Sequence, residues 1–311
     1  MPTDPVTAKW VRSAADEAAV SMGCVFDERA ADRVRRFFAT FLRHSKGAFA
    51  SAPFELQPWQ WEQVVAPLYG WRRPDGTRRY RRASVWVPKK NGKSTLAAGL
   101  ILYGLVADGE PGAEVYGAAA DRNQAAIIFN EVAAMVAQSP GLAGKLTGNA
   151  SVRRAIFPST HSFYQVLSKD SRKTGHGVNA HVCVIDELHV VDRELYDTLR
   201  YAGAARRQPL LIEISTAGND KTSLGYERYQ YAKRLVRGEQ EDWETLAVAY
   251  EAEPERWEEP AEWRRSNPSL GVTITEDSFR SDFQEAKNGS PATQGSFKQL
   301  RLNLWQDTSF A

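Results

Sequence analysis

Residues 87–95, with the sequence VPKKNGKST, contain the residue types that bind the phosphates of a nucleoside triphosphate. Such a site needs backbone N–H groups that converge on the phosphates, a helix N-terminus behind them, a lysine, and a hydroxyl for Mg²⁺. Gly92 permits close approach of the backbone, Lys93 supplies the ammonium group, and Ser94 supplies the hydroxyl. Because Val87 replaces the first glycine of G-x-x-x-x-G-K-[ST], an ordinary helix N-terminus with exposed lysines is the alternative interpretation.

A second set of polar residues ends the apolar run HVCVIDELH, where Asp186 and Glu187 stand side by side. Burying a carboxylate without a partner is costly, so a core strand that ends in two of them indicates a chemical role. In phosphoryl transfer, one acidic residue at such a strand end holds Mg²⁺ and a second orients the attacking water. We therefore predict that Asp186 binds the metal and Glu187 activates water, with two helix-capping acids as the alternative.

A third apolar run, LLIEISTAGND, ends in the hydroxyl residues Ser215 and Thr216 and a glycine turn. In open α/β sheets, ligands bind beyond the carboxyl ends of the strands. These hydroxyls are therefore expected to face the same crevice as Lys93 and Glu187, where they could contact the terminal phosphate. Serine and threonine also end many strands as plain turn formers, which is the alternative here.

Short apolar runs and helical patterns alternate after residue 82. The runs are apolar at consecutive positions, which predicts strands buried on both faces and hence a mainly parallel sheet between helices. The predicted fold class is α/β. The predicted strands are 83–87, 113–119, 162–167, 182–185 and 209–215, and the predicted helices are 94–107, 122–138 and 193–202.

The pattern along the chain suggests three parts. Residues 1–50 are predicted to form an N-terminal helical extension, and residues 51–221 the α/β core. Residues 222–311 carry amphipathic patterns around one strand, ETLAVAY, and are predicted to form a smaller, mostly helical lid subdomain.

Composition limits the classes of protein that fit this sequence. The 311 residues carry a formal net charge of only +2, so any polyanion contact must come from a local patch. The two cysteines, Cys24 and Cys183, do not form a disulfide or zinc pattern, which is typical of a reducing compartment. No run approaches the length of a membrane span or a signal peptide, so we expect a cytoplasmic protein.

The order of these motifs resembles the large terminase subunit of tailed bacteriophages. VPKKNGKST is similar to the family's glycine-poor phosphate loop, and VCVIDELH and ISTAG follow it as in the family. YGAAADRNQA is similar to its second strand and helix, and NPSLG and FKQLRLNLWQ resemble the end of its ATPase region. The resemblance covers about residues 50–307 and implies a RecA-like P-loop NTPase fold of the ASCE class, with ATP and Mg²⁺ as cofactors.

The resemblance also implies roles for individual residues. FELQPWQWEQVV is similar to the adenine-binding segment of the family, which places Gln60 on adenine with Trp59 or Phe54 packing nearby. An arginine supplied to the neighbouring subunit's site is expected to be Arg172, with Arg122 as a rival. The residues expected to contact the nucleotide are Lys89, Lys90, Asn91, Gly92, Lys93, Ser94, Thr95, Ser215 and Thr216, where Lys89 or Lys90 would place a charge on the terminal phosphate.

By the same resemblance, the activity is ATP hydrolysis that moves double-stranded DNA into a procapsid. The implied partners are the portal protein, the small terminase subunit and further copies of the chain in a homo-oligomeric ring, expected to be a pentamer, in the infected bacterial cell. The family's nuclease domain would follow residue 307, so nuclease activity is not expected from this chain.

WRRPDGTRRYRRAS concentrates arginine around a Pro-Asp-Gly turn and predicts a surface hairpin. Such a hairpin could contact DNA phosphates without reading bases. The alternatives are that the segment is a solvated face, or that it acts at the nucleotide or between subunits. The arginines are Arg72, Arg73, Arg78, Arg79, Arg81 and Arg82.

Two other functions are compatible with parts of the sequence. DELH is similar to the D-E-x-H box of helicases, but residues 222–311 are too short and too helical to supply the second RecA-like domain that such helicases need. A non-catalytic nucleotide- or DNA-binding module would not require the water-activating carboxylate.

Overall fold

A computed structural model describes residues 4–307 except 150, 152 and 169–176, and for 48, 122 and 149 only the backbone. The α-helices are α1 Pro5–Trp10, α2 Ala14–Ser21, α3 Glu28–Phe41, α4 Ala66–Gly70, α5 Lys93–Val106, α6 Arg122–Ala137, α7 Arg193–Tyr201, α8 Leu224–Val236, α9 Pro260–Ser266, α10 Glu276–Asn288 and α11 Pro291–Leu302. The strands are β1 Val25–Phe26, β2 Trp71–Arg72, β3 Arg82–Trp86, β4 Glu114–Ala119, β5 Thr147–Asn149, β6 Arg154–Phe157, β7 Ser162–Ser168, β8 Val182–Asp186, β9 Leu210–Ser215 and β10 Thr245–Ala249. A π-helical turn, Gln60–Val65, precedes α4, and 3₁₀ turns lie at Gly47–Phe49, Pro158–Thr160, Leu188–Val190 and Pro254–Arg256.

The main sheet has eight strands in the order β10-β3-β9-β8-β4-β7-β6-β5. The first six are parallel to one another, and β6 and β5 extend the sheet as antiparallel strands. Trp86 lies opposite Ser215, and Asp186 lies opposite Ile214, so β3, β8 and β9 end at the same edge. The predicted α/β fold with a mainly parallel sheet is confirmed, and this register brings the three predicted motifs to one edge.

Helix α5 passes unusually close to its neighbours. A Cβ on Gly99 would lie 2.3 Å from Cε1 of Phe38 in α3, and a Cβ on Gly104 would lie 2.8 Å from Cγ2 of Val182 in β8. Any side chain at either glycine would therefore push α5 away from α3 or from the sheet. This close packing fixes the axis of the helix whose first turn carries Lys93 and Ser94. Within the described residues, no helix has the length and apolar character to cross a membrane.

The N-terminal helices belong to the principal core rather than to an extension. Phe37 and Phe38 of α3 are buried in the same apolar cluster as the α5 residues Leu100 and Tyr103. Phe37 meets Tyr103 edge to face, with ring centroids 5.4 Å apart. The predicted boundary at residue 50 therefore cuts through a single packed core.

The predicted boundary at residue 221 also divides a packed unit. The strand expected inside the helical subdomain is β10, which pairs with β3 as an edge strand of the main sheet. Helix α8 packs against β3 and β10. The helical part begins after β10, where a separate small core forms from Ala252, Trp263, Ile274, Phe279, Phe283, Ala286, Phe297, Leu302 and Leu304.

The arginine-rich segment is not a solvated hairpin throughout. Arg78 and Arg79 are only 2% and 1% exposed. Arg78 pairs with the buried Asp108 at the end of α5, and Arg79 pairs with Asp16 of α2. The expectation that all six arginines could contact DNA is therefore wrong for these two, whose guanidinium groups join the segment before β3 to the end of α5 and to α2.

Candidate functional site

The loop from Val87 to Gly92 joins β3 to α5 and forms the floor of the site. Gly92 precedes the helix with φ +83°, and a Cβ there would lie 3.2 Å from Nε2 of Gln60. Lys90 also has a positive φ of +73°, which turns the loop back towards the helix start. Lys89 and Lys90 are exposed, whereas Ser94 and Thr95, in the first turn of α5, are half-buried. The loop therefore has the strand-loop-helix form that binds phosphate, with a helix N-terminus behind it.

The ammonium group of Lys93 is buried and is held by neutral acceptors. Its Nζ donates to the backbone oxygens of Val87 and Pro88, at 3.2 and 3.1 Å, and to Oγ1 of Thr216 at 2.6 Å. Burial lowers the pKa of Lys93, and the charges of Glu187 and Asp186 oppose that shift. Those three acceptors use all three N–H bonds of the ammonium without neutralising its charge, so the site favours an anionic ligand.

Ser94 and Asp186 join the phosphate loop to the acidic strand end. Oγ of Ser94 donates to Oδ2 of Asp186 at 2.9 Å. Burial raises the pKa of the Asp186 carboxyl to about 6, the neighbouring charge of Glu187 adds to this, and Lys93 and the Ser94 hydrogen bond oppose it. The structure therefore brings together the two oxygens predicted to bind the metal.

Glu187 is held in an unusual backbone conformation. Its φ is +55°, in the left-handed region that a side chain with a Cβ rarely adopts. Its N–H donates to the backbone oxygen of Ile214 at 2.9 Å and to Oδ1 of Asp186 at 3.0 Å. Within the described residues its buried Oε2 accepts no hydrogen bond of good geometry, although Nδ1 of His189 lies 3.2 Å away. A strained residue with an orphaned carboxylate oxygen is typical of a functional position.

His189 is a site residue that the sequence analysis did not propose. Its Nδ1 lies 3.2 Å from Oε2 of Glu187, and also 3.2 Å from Oγ of Ser215. Burial lowers the pKa of His189, with the charge of Glu187 opposing that shift. Its sequence signal is the fourth position of DELH, which resembles the last residue of the helicase D-E-x-H box.

Ser215, at the end of β9, and Thr216, directly after it, lie beside His189 and Lys93. Both are fully buried. Besides accepting from Lys93, Thr216 donates from Oγ1 to the backbone oxygen of Val87 at 3.1 Å, and Oγ of Ser215 accepts from the N–H of His189 at 3.3 Å. The hydroxyls therefore connect β9 to the phosphate loop on one side and to the acidic loop on the other.

The segment expected to bind adenine divides into residues near the loop and residues far from it. Gln60 is buried next to Gly92, and its Oε1 accepts from the N–H of Gln57 at 3.0 Å. Trp59 lies nearby, with its indole N–H donating to Oγ of Ser269 at 3.0 Å. Phe54 instead packs in the main core, with its ring 5.1 Å from that of Phe38. Of the two aromatic alternatives, only Trp59 lies beside the phosphate loop.

Asn91 ties the phosphate loop to the C-terminal helices. Its Nδ2 donates to Oδ1 of Asn267 at 2.9 Å, and its Oδ1 accepts from the N–H of Ser269 at 3.0 Å. Asn267 and Ser269 belong to NPSLG, to which the sequence analysis assigned no role. Residue type alone could not identify them, because their contacts with Asn91 span more than 170 positions of the chain.

The two arginine candidates are not tested by the structure. Arg172 lies outside the described residues. Arg122 begins α6 behind the N-cap Asp121, and its side chain is not described. Both assignments therefore stay predictions.

The residues fit a magnesium ion that is shared with a nucleotide. The described part of the chain holds no group of three His, Cys, Asp or Glu residues arranged to bind a metal by themselves. Mg²⁺ at NTPase sites is usually held by one or two protein oxygens together with phosphate oxygens and water. The paired oxygens of Ser94 and Asp186, next to the orphaned Oε2 of Glu187, match that donor set.

The profile of the family described as terminase large subunit, ATPase domain, matches residues 58–234. The chain is 29% identical over 278 residues to the large terminase subunit of Enterobacteria phage HK97, covering 88% of this chain and 52% of that protein. It is also 30% identical over 141 residues to protein YmfN of Escherichia coli (strain K12), covering 45% of this chain and 31% of that protein.

One solved structure agrees with the sequence relatives. The crystal structure of the HK97 bacteriophage large terminase superimposes with a TM-score of 0.76 and 27% identity, over 88% of this chain and 55% of that chain. The chain thus spans about half the length of the phage terminase that it matches. From the family profile, the shared fold and the site at its strand ends, we conclude that this chain belongs to the terminase large-subunit family and carries its ATPase domain.

Proposed function

We propose that this chain hydrolyses ATP with Mg²⁺ to drive double-stranded DNA into a viral procapsid. The observation that carries the proposal is the 2.9 Å hydrogen bond between Ser94 and Asp186, which joins the phosphate-binding loop to the acidic strand end. Membership of the terminase family supports the coupling of this chemistry to DNA packaging.

The nucleotide would lie across the phosphate loop. The backbone N–H groups of residues 89–95 would face its phosphates, and Lys93 would exchange its contacts with the backbone oxygens of Val87 and Pro88 for phosphate oxygens. Since those oxygens are neutral, replacing them by an anion relieves the uncompensated buried charge. Gln60 would bind the adenine edge beside Gly92, with Trp59 behind it. Lys89 or Lys90, both exposed, would place a further charge near the terminal phosphate.

Ser94 and Asp186 would hold the magnesium ion. When bound, the ion neutralises charge on the phosphates and so favours attack at the terminal phosphorus. For Ser94 this requires its hydroxyl to turn from donating to Asp186 to presenting a lone pair. The Asp186 carboxyl, whose pKa burial raises to about 6, would then gain a cation that stabilises its ionised form.

Glu187 would orient the attacking water and accept its proton. Its Oε2 accepts no hydrogen bond of good geometry within the described residues, although Nδ1 of His189 lies 3.2 Å away, so a lone pair remains available for a water. His189, which also lies 3.2 Å from Oγ of Ser215, contacts this same oxygen through Nδ1 and limits the movement of the carboxylate. Thr216, which bonds to both Lys93 and Val87, is placed to respond when the terminal phosphate leaves.

The proposed partners follow from the family and not from a surface of this chain. They are double-stranded DNA, the portal protein, the small terminase subunit and further copies of the chain in a ring, all in the cytoplasm of an infected bacterium. Arg172, with Arg122 as the rival, would complete a neighbouring subunit's site.

Phosphate release from ATP tests the proposal. The parent protein, Glu187→Gln and the matched surface control Glu255→Gln would be compared with Mg²⁺, with and without linear duplex DNA. A general base contributes ~10²-fold or more, so we expect Glu187→Gln to lose that factor while still binding a fluorescent ATP analogue. Equal turnover by the parent and Glu187→Gln would contradict the assignment of Glu187 as the residue that activates water. Strand separation without duplex translocation would contradict the packaging function.

A further inference from the structure

The end of α11 contacts the loops after three adjacent strands. The backbone oxygen of Leu300 accepts from the N–H of Lys89 in the phosphate loop at 2.9 Å. Nε2 of Gln299 donates to the backbone oxygen of Ala217, after β9, at 3.0 Å. Asn303, the residue after the helix, bonds to Ala217 and to Tyr250, after β10. These residues therefore bring β3, β9 and β10 to one point behind the nucleotide site.

Asn303 makes the most specific of these contacts. Its Oδ1 accepts from the N–H of Ala217 at 2.7 Å, and its Nδ2 donates to the backbone oxygen of Tyr250 at 2.8 Å. The side chain is fully buried, and the backbone has φ +58°, a conformation that asparagine adopts more readily than most residues. The helix end is already closed by the N–H of Leu304, which donates to Lys298 O at 3.0 Å. The amide side chain is therefore not needed as a cap.

Both backbone polar groups of Ala217 are thus bound by side chains from α11 and its end. Asn303 binds the N–H and Gln299 binds the oxygen, and we call this pair of contacts the clamp on Ala217. Ala217 directly follows Thr216, whose hydroxyl accepts from Lys93 at 2.6 Å. Fixing the peptide after Thr216 fixes the position of that hydroxyl relative to the ammonium group. A displacement of α11 would therefore reach Lys93 through two side-chain contacts, one peptide bond and one hydrogen bond.

We propose that Asn303, assisted by Gln299, is a positioning residue for ATP hydrolysis, which places Thr216 on Lys93 and connects the C-terminal helices to the nucleotide site. The inference rests on the proposed ATPase function. Asn303, the third residue of RLNLW, would thus act in turnover rather than in closing the helix.

The experiment compares Asn303→Gly with Asn288→Gly. The first variant keeps the backbone conformation accessible and removes both amide contacts, and the second makes the same change at the exposed end of α10. Gln299→Met, with Gln306→Met as its control, removes one contact of the half-buried Gln299 and keeps the test valid should Asn303→Gly not fold. Turnover would be measured at a temperature at which circular dichroism shows each variant to be folded.

We expect Asn303→Gly to lower kcat at least ~10-fold and to change KM for ATP less than ~3-fold, since misplacement of reacting groups affects the chemical step more than phosphate binding. Gln299→Met should lower kcat by a smaller factor, and both controls should match the parent. A folded Asn303→Gly protein with the parent's kcat, or one in which kcat and KM change in parallel, would overturn the positioning role.

Hydrogen exchange separates this inference from the proposed function. In the nucleotide-free protein, Asn303→Gly should increase the exchange rate of the Ala217 amide, whereas Asn288→Gly should not. If the parent does not hydrolyse ATP, the proposed function fails and exchange at Ala217 still decides whether the clamp exists. Unchanged exchange at Ala217 would overturn the clamp whatever the turnover.

Discussion

Replacing Asp186 by asparagine is expected to stabilise the nucleotide-free protein while removing its response to Mg-ATP. Asp186 is 7% exposed and forms no ion pair within the described residues, although the charge of Lys93 acts on it. It accepts hydrogen bonds from Ser94 and from the N–H of Glu187. The asparagine side chain keeps one oxygen that can accept a hydrogen bond, and its new NH₂ group can donate to the Ser94 hydroxyl. The N–H of Glu187 keeps its hydrogen bond to the backbone oxygen of Ile214. The substitution therefore removes a buried charge at little loss of hydrogen bonding.

The size of the expected stabilisation follows from the pKa of Asp186. Burial raises the pKa of Asp186 from 3.8 to about 6. Each pKa unit corresponds to ~1.4 kcal/mol, so the ionised carboxylate lowers the free energy of unfolding by ~3 kcal/mol. Because the pKa is higher in the folded state, this penalty is absent below about pH 4, grows as the pH rises, and is complete above about pH 7. Allowing ~1 kcal/mol for imperfect replacement of one hydrogen bond, Asp186→Asn should be ~2 kcal/mol more stable at pH 8.

Urea unfolding at pH 4, 6 and 8 in the presence of EDTA would measure this difference, with the exposed Asp277→Asn as the control. The m-value should be the same for parent and variant, so that the midpoint reports stability. Adding Mg-ATP should stabilise the parent and not Asp186→Asn. A variant that is less stable than the parent at pH 8, or a difference that does not shrink between pH 8 and pH 4, would refute the reasoning.

Three further substitutions test other parts of the structure. Arg79→Met leaves Asp16 buried without its cationic partner and should lower the free energy of unfolding by ~3 kcal/mol. Urea unfolding would measure this loss, with the exposed Arg29→Met as the control, and a loss below ~1 kcal/mol would contradict a role of the buried ion pair in stability. Lys93→Met should weaken binding of a fluorescent ATP analogue more than ~10-fold without lowering thermal stability, because the buried ammonium has only neutral acceptors; unaltered affinity would exclude Lys93 from the phosphate site. Gln60→Leu should reduce the preference for ATP over GTP by about tenfold, as expected for one lost hydrogen bond, and an unchanged preference in competition binding would remove Gln60 from the adenine contact.

Local patterns were sufficient to predict the elements that carry the main motifs. The predicted strand 182–185 corresponds to β8, Val182–Asp186, and the predicted helix 94–107 corresponds to α5, Lys93–Val106. Runs such as VCVID are apolar at every position because the strand is buried on both faces, and that property is local to the sequence. Since parallel strands end at a common edge, the same patterns also predicted that Lys93, Asp186 and Thr216 would converge.

The sequence by itself therefore determined the α/β class, the order of the motifs and the edge of the sheet at which they meet, because each depends on residues that are neighbours in the chain. Only the tertiary structure decided what surrounds them. The burial of Arg78 and Arg79, the pairing of β10 with β3 and the clamp on Ala217 by Asn303 depend on partners that are at least 30 positions away in the chain. An arginine or asparagine has the same local pattern whether its partner is water or a buried carboxylate or amide, so its role becomes visible only when the distant segment is packed beside it.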